Sequence, residues 1–432
     1  MKIRVTRWSE MDESTRAAVL SRSESSVDSV LETSRDIVSQ VRADGDSAIR
    51  ELSARLDGFD NPSMPLRVQP EEFDRAAESL SERVKQALEY AIANVRSVHS
   101  AQKPAEIELT QVRPGVLAGE RTTPIDAVGL YVPRGRGSFP SMLYMLAVPA
   151  RIAGVPRVAV ATPPAPDGSI DAACLYAAAL CGVDEAYRVG GAQAIAAFAF
   201  GTESIEPVAK VVGPGSAYVA AAKRVVRDRI DTGIPAGPSE SAILADDSAD
   251  PRSVARDLLI EAEHGADSQA VLVTVSEELA RSVAAELPGL IEQTPEPRRG
   301  FLESVFSGFG LAIVAATSLE ACEIVNTLAP EHLQIRTHNP WETMGRIRNA
   351  GEVLLGEYSA FSLANYAAGA NAVLPTGGFA RTWSGVSVHD FQKRSSVVQI
   401  SRDAYPEIAG HVRTLAEYEG FHWHAEALRD RS

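Results

Sequence analysis

From Ala127 onward the chain repeats one pattern: a short β-rich run, a turn, then a helical stretch. AVGLYV (127–132), RVAVAT (157–162), EAYRVG (185–190) and AKVVG (209–213) are the runs. SMLYMLAVPARIAG, AACLYAAALCG, AQAIAAFAFG and AYVAAAKRVVRDR are the helical stretches that follow them. Strand and helix in alternation build a parallel sheet with helices on its faces, so the class is α/β. A second alternation opens at SESAILADD (239–247) and runs through RSVARDLLIEAEHG, QAVLVTVS, EELARSVAAELPGLIEQ, GLAIVAAT, SLEACEIVNTLA, EHLQIRT and EVLLGE. Two such sheets imply a cleft between them. Ligands of open parallel sheets bind beyond the carboxyl ends of the strands, so polar residues just after strands are the first candidates.

Before this region, residues 24–103 read as helices, with Val, Leu and Ile at spacings of 3 and 4. Asp44-Gly45-Asp46 interrupts them, and Pro70 before Glu71-Glu72 opens another. His99, near the end of that helix, is expected at the surface. Residues 376–432 are Gly- and Ser-rich at first, then polar and helical, with Trp and His. The expected division is 1–125 as a helical region joined to the domain that 239–375 builds, 126–238 as a separate α/β domain, and 376–432 as a C-terminal extension.

The 432 residues suffice for two or three domains with a sizeable core. A net charge of −15 argues against a nucleic-acid surface and against anionic membranes, both of which need clustered Lys and Arg. Cys174, Cys181 and Cys322 form no CxxC and read as buried thiols in a reducing compartment. No apolar run is long enough to cross a membrane, and the N-terminus lacks a signal-peptide core. The expected location is the cytoplasm.

Neither a GxGxxG after the first strand nor a P-loop is present. Gly213-Pro214-Gly215-Ser216 lies between a strand and a helix, where backbone N–H groups can hold a phosphate, although a plain turn has the same signature. Arg134 and Arg136, in YVPRGRGSFPS (131–141), can meet an anion. Glu261 and His264 are three apart, so both can reach one metal ion. Glu331-His332, in NTLAPEHLQI, places a carboxylate beside an imidazole, and His422 and His424 follow Glu419. Taken singly, each of these histidines reads as a surface or capping residue rather than a ligand.

Taken together, GLYVP, MLAVPARIAGVPRVAVATPP, VGGAQAIAAFAFGTES, VGPGSAYVAAAKR, PAGPSES, EAEHGADSQAVLVT, LAPEHLQ and LPTGGFARTWSGVSVHDFQKRSSV resemble the histidinol dehydrogenases in content and order, from about residue 25 to the end. The resemblance implies two Rossmann-like parallel-sheet domains of the aldehyde/histidinol dehydrogenase type, with 126–238 on the NAD side. It also implies a homodimer in which the C-terminal tail of one chain enters the active site of the other. The implied reaction is oxidation of a small primary alcohol to a carboxylate with NAD, through an enzyme-held aldehyde, with one zinc per chain. Carried over residue by residue, His332 is the general base and Glu331 activates water. Tyr131, Gln193 and Ser216 fall where the family contacts NAD, and Ser239, Glu419 and Ala372 where it contacts substrate. Glu261, His264, Asn365 and His424 fall at the zinc ligands, the last donated by the partner chain.

Several of these positions depart from the family pattern. Glu261 stands where the family has Gln, Asn365 where it has Asp, Ala372 where it has His, Ser216 where it has Asn, and Arg134 where it has Gly. One ligand carboxylate is gained and one lost, so the expected charge on the metal is the family's. Three readings remain: a histidinol dehydrogenase acting on L-histidinol, a paralogue acting on another alcohol such as the anionic substrate of sulfopropanediol dehydrogenases, or a non-catalytic relative.

Overall fold

The structure is a computed structural model that describes residues 3–20, 24–134 and 137–429. β1 (Arg4–Arg7), β2 (Ile107–Arg113) and β3 (Val116–Pro124) precede the region of strict alternation. β4 (Ala127–Tyr131), β5 (Arg157–Thr162), β6 (Glu185–Arg188) and β7 (Lys210–Val212) form a parallel sheet in the order β6-β5-β4-β7. β8 (Glu240–Ala245), β9 (Gln269–Thr274), β10 (Leu311–Val314), β11 (His332–Arg336) and β12 (Glu352–Leu355) form a second parallel sheet with β1, in the order β1-β10-β9-β8-β11-β12. β13 (Gln392–Ile400) returns antiparallel to β3 and completes a three-stranded ribbon with β2.

The two parallel sheets are built from the runs that read as strands. β8, β9, β10 and β11 are buried along their whole length, as strands covered by helices on both faces must be. Separate apolar clusters lie on the two faces of each sheet.

The helices of residues 31–100 cover the four-stranded sheet, which corrects the expected grouping of 1–125 with 239–375. Leu31–Leu56 packs on the helices Gly191–Phe200 and Ala217–Val226, Pro70–Ser79 on Ala172–Leu180, and Glu82–Ser100 on Pro140–Ala153. The reason lies in the Ala-rich helices of that sheet, whose flat apolar faces need cover. Val41, Ile49 and Leu52 share one cluster with Ala194, Ile195 and Phe198. From this N-terminal region, β1 lies in the six-stranded sheet. His99 is buried rather than exposed, with Nδ1 2.7 Å from Gln102 and Nε2 3.1 Å from Asn371.

Beyond β13 the helices Tyr405–Tyr418 and His422–Glu426 fold on each other as an arm. Among the described residues no helix is long and apolar enough to cross a membrane. Cys174, Cys181 and Cys322 are buried and free.

Candidate active site

His332 is the first residue of β11, and its register partners are Ser241 of β8 and Glu352 of β12. The preceding helix, Ser318–Leu328, stops at Ala329, whose φ of 46° is left-handed. An alanine held there costs about 1 kcal/mol or more, and the turn it makes sets Glu331 and His332 at the mouth of the sheet. Both are buried. The imidazole is fixed on three sides. Nδ1 lies 2.5 Å from Glu352 Oε1, Nε2 lies 3.7 Å from Glu331 Oε1 and 3.8 Å from Glu261 Oε2, and the ring stands edge-on to Phe361 at 6.0 Å.

Burial works against a charge on His332, yet Glu261, Glu331 and Glu352 outweigh it and hold the imidazole up to about 10. Glu331 is pushed up to about 8, first by burial and also by Glu261, with His332 and the Glu240 N–H pulling the other way. That N–H donates to Glu331 Oε2 at 2.9 Å. Glu240, the first residue of β8, accepts in turn from the Gly377 N–H at 2.8 Å. Three buried carboxylates, from Glu261, Glu331 and Glu352, therefore surround one imidazole, and a fourth, from Glu240, is buried beside Glu331.

Glu261 lies in the last turn of the helix Pro251–Ala262, and His264 follows just beyond it with Nε2 3.5 Å from Glu261 Oε2. Asn365 reaches the same carboxylate from the helix Phe361–Tyr366, donating from Nδ2 to Glu261 Oε1 at 2.5 Å. Its Oδ1 is buried and has no partner among the described residues. An imidazole nitrogen and a side-chain amide with an orphaned oxygen thus meet on one buried carboxylate, donor types that suit a divalent ion such as zinc. Three of the four expected ligand positions thus converge within one chain. His424, the fourth, is exposed on the arm with its ring 5.0 Å from that of Phe421, and Glu419 is exposed beside it.

Contrary to the carboxyl-end rule, this cluster sits at the amino ends of the six-stranded sheet: Glu240, His332 and Glu352 are each the first residue of a strand. Helices that lead into parallel strands end there, so their carboxyl termini bring partial negative charge, which suits a cation. Ser239, half-buried, immediately precedes Glu240 and accepts through its carbonyl from Gln269 N–H at 2.9 Å.

At the four-stranded sheet the candidate residues lie at carboxyl ends. Tyr131 ends β4, and its hydroxyl accepts from the Gly191 N–H at 3.0 Å. Burial raises the Tyr131 hydroxyl far above its ordinary range. Gln193 is buried, with Nε2 3.4 Å from Asp57 Oδ2 and an Oε1 that has no partner among the described residues. Ser216 occupies the exposed N-cap position of the helix Ala217–Val226, without a side-chain capping hydrogen bond. Gly213, at φ 126°, passes so close to β4 that a Cβ there would lie 2.0 Å from the Tyr131 carbonyl oxygen. Helix amino ends, a tight glycine turn and an orphaned amide oxygen fit the phosphates and polar edges of a dinucleotide. Arg134 donates to the Pro164 carbonyl at 2.8 Å on this side, and Arg136 lies outside the described residues.

The two ends face each other. A Cβ on Gly137, in the loop after β4, would sit 3.5 Å from Arg298, whose guanidinium donates to the Glu263 carbonyl beside His264 at 2.7 Å. Ala372 is half-buried against the apolar cluster of the four-stranded side, its N–H 3.2 Å from Met145 Sδ.

A family model for histidinol dehydrogenase matches residues 20–432. The chain belongs to the histidinol dehydrogenase family. It is 46% identical to a histidinol dehydrogenase of Synechocystis sp. over 95% of this chain and 94% of that one. It is 48% identical to a histidinol dehydrogenase homolog of Cereibacter sphaeroides, over 97% and 96%. The crystal structure of histidinol dehydrogenase from Elizabethkingia anophelis superimposes with a TM-score of 0.92 at 31% identity, covering 99% and 97% of the two chains. Membership makes the protein an oxidoreductase, and the family as a whole is NAD-dependent and zinc-binding.

Sequence reading missed Glu240 and Glu352. The signal was present in both cases, a lone carboxylate heading an otherwise apolar strand in ESAILA and EVLL.

Proposed function

We propose that this histidinol dehydrogenase family member oxidises a small primary amino alcohol to the corresponding carboxylate, using two NAD and one water. The observation that carries the reading is the set of buried carboxylates at His332, with Glu261, Glu331 and Glu352 around the ring and Glu240 beside Glu331. So much buried negative charge needs positive partners, and a divalent ion together with a substrate ammonium would supply them. An anionic alcohol of the sulfopropanediol kind would meet the same carboxylates unfavourably. A divalent ion and a substrate ammonium among the carboxylates would offset the negative charge that holds the His332 proton, freeing Nε2 to take the hydroxyl proton at the alcohol step and, with Glu331, to orient and deprotonate the attacking water at the aldehyde step. NAD, when bound, would supply the hydride acceptor for each oxidation. Ser239 is proposed as a substrate contact at the mouth of β8, and Ala372 as extra room where the family places a histidine.

Glu261, His264 and Asn365 would hold zinc, with His424 of the partner subunit as fourth ligand. When bound, zinc would polarise the substrate oxygen. Tyr131, Gln193 and Ser216 would hold NAD. The C-terminal arm supports a dimer with shared sites, since Tyr418 is 91% exposed and Trp423 77%, with Leu415 and Phe421 exposed beside them. Apolar surface of this kind, next to Glu419 and His424, fits a partner chain. The three buried free thiols fit the cytoplasm.

The test is a panel of primary alcohols, L-histidinol and an anionic sulfonate included, followed by NADH formation. An amino alcohol should be the best substrate. L-histidinol should fall below about 10⁴ M⁻¹s⁻¹ in kcat/KM, the lower edge of ordinary enzyme efficiency. A sulfonate as best substrate would overturn the reading.

A further inference from the structure

Glu352 belongs to none of the positions that the family resemblance assigns, yet it makes the shortest contact to His332. Its place is set by backbone. β12 pairs with β11 in parallel register, His332 opposite Glu352, and the Glu352 N–H donates to the Glu331 carbonyl at 3.0 Å. Gly351, just before, lies against that same carbonyl so tightly that a Cβ would come within 2.5 Å of its oxygen. The side chain is 7% exposed, and Oε2 has no partner among the described residues. Its polar contact is therefore Oε1 on His332 Nδ1 at 2.5 Å.

A carboxylate only accepts hydrogen bonds, so Nδ1 carries the proton in this pair. With Nδ1 so engaged and Phe361 against the ring, Nε2 is turned toward Glu261 and Glu331, where proton transfer would occur. We infer that Glu352 is a positioning residue that fixes the tautomer and orientation of His332, leaving Nε2 to face the substrate. The inference rests on His332 as the base of the proposed reaction. Carboxylates behind a working imidazole play this part in other enzymes, and their loss typically costs about 10–100-fold.

Two readouts on the intact dimer separate this role from a merely structural one. Proton NMR of wild-type protein should show a strongly downfield Nδ1–H resonance that disappears in His332→Asn. It should be lost in Glu352→Ala and move upfield in Glu352→Gln, which keeps an acceptor without the charge. On the best alcohol of the panel, Glu352→Ala should lower kcat by about 10–100-fold with KM little changed, and Glu352→Gln should recover part of the loss. Persistence of the resonance in Glu352→Ala, or an unchanged kcat, would overturn the inference. Should Glu352→Ala not fold, Glu352→Gln decides alone, and an unmoved resonance with unchanged kcat counts against it. Were no alcohol turned over, the proposed function would fail, while the resonance would still decide whether Glu352 holds the ring.

Discussion

The four-stranded and six-stranded sheets are both parallel, both helix-covered, and chemically opposite at the ends they turn toward each other. The four-stranded sheet presents carboxyl ends, where the helices Gly191–Phe200 and Ala217–Val226 begin. The six-stranded sheet presents amino ends, where Pro251–Ala262 and Ser318–Leu328 terminate and four carboxylates collect. Helix starts favour anions and helix stops favour cations. One cleft can thereby hold a pyrophosphate on one wall and a metal or ammonium on the other, with the hydride path between them. Strand direction sets this polarity before any particular side chain is chosen.

The comparison can be broken at its seam or at either wall. Removing residues 410–432 takes away Glu419 and His424 together and should abolish turnover and weaken dimerisation. Sedimentation and an NADH assay check this, and an active monomer would show that the cation wall is complete within one chain. His332→Asn should cut turnover by about 100-fold or more while NADH binding, followed by fluorescence, stays as in the wild type. A loss of cofactor affinity of similar size would mean that the walls are not separable. Prolonged chelation should behave likewise, removing about one zinc per chain, by the four-donor logic of a catalytic site, and with it activity but not NADH binding. Full activity in rigorously metal-free protein would leave the carboxylates to a cationic substrate alone.

The smallest effect belongs to the dinucleotide wall. Burial raises Asp57 from 3.8 to about 6, with Arg134 opposing. The folded state thus binds this proton more tightly than the unfolded chain, so stability falls as pH rises from about 4 to about 6 and the cost persists above. Asp57→Asn should raise the melting temperature at pH 7, and the gain should vanish near pH 4. An equal gain at both values would show that the carboxyl group is not what destabilises this end.

How much of this was legible depended on where a residue's partners lie. β4, β5, β8, β9, β10 and β12 read directly, because each is a mostly apolar run whose burial is written into its own composition, while β6 (EAYR), β7 (KVV) and β11 (HLQIR) read through the strand-helix alternation around them. The ribbon of β2, β3 and β13 did neither. IELTQVR is exposed along its whole length and QKRSSVVQI nearly so; such strands are held by main-chain pairing across nearly 300 residues rather than by an apolar face. The reading of Glu331 and His332 rests on the family resemblance, since a Glu-His pair alone is ambiguous. Glu352 was not legible, because its meaning is a register, opposite His332 on a neighbouring strand. Tyr131 lies at a carboxyl end, as the carboxyl-end rule expects, whereas Glu240, His332 and Glu352 lie at amino ends, since that rule describes how anions meet a sheet.

The six-residue helix Phe361–Tyr366 starts with Phe361 in the core of the six-stranded side. Just past Asn365 it is fastened to the other side: Tyr144 donates to the Tyr366 carbonyl at 2.6 Å and Asn94 to the Ala367 carbonyl at 2.9 Å. Asn365 thus reaches Glu261 like a clasp sewn to the opposite flap. Any hinge motion that parts the walls strains this contact, so whatever Glu261 and Asn365 grip together also holds the cleft shut. By thermodynamic reciprocity, a closed cleft tightens that grip in equal measure.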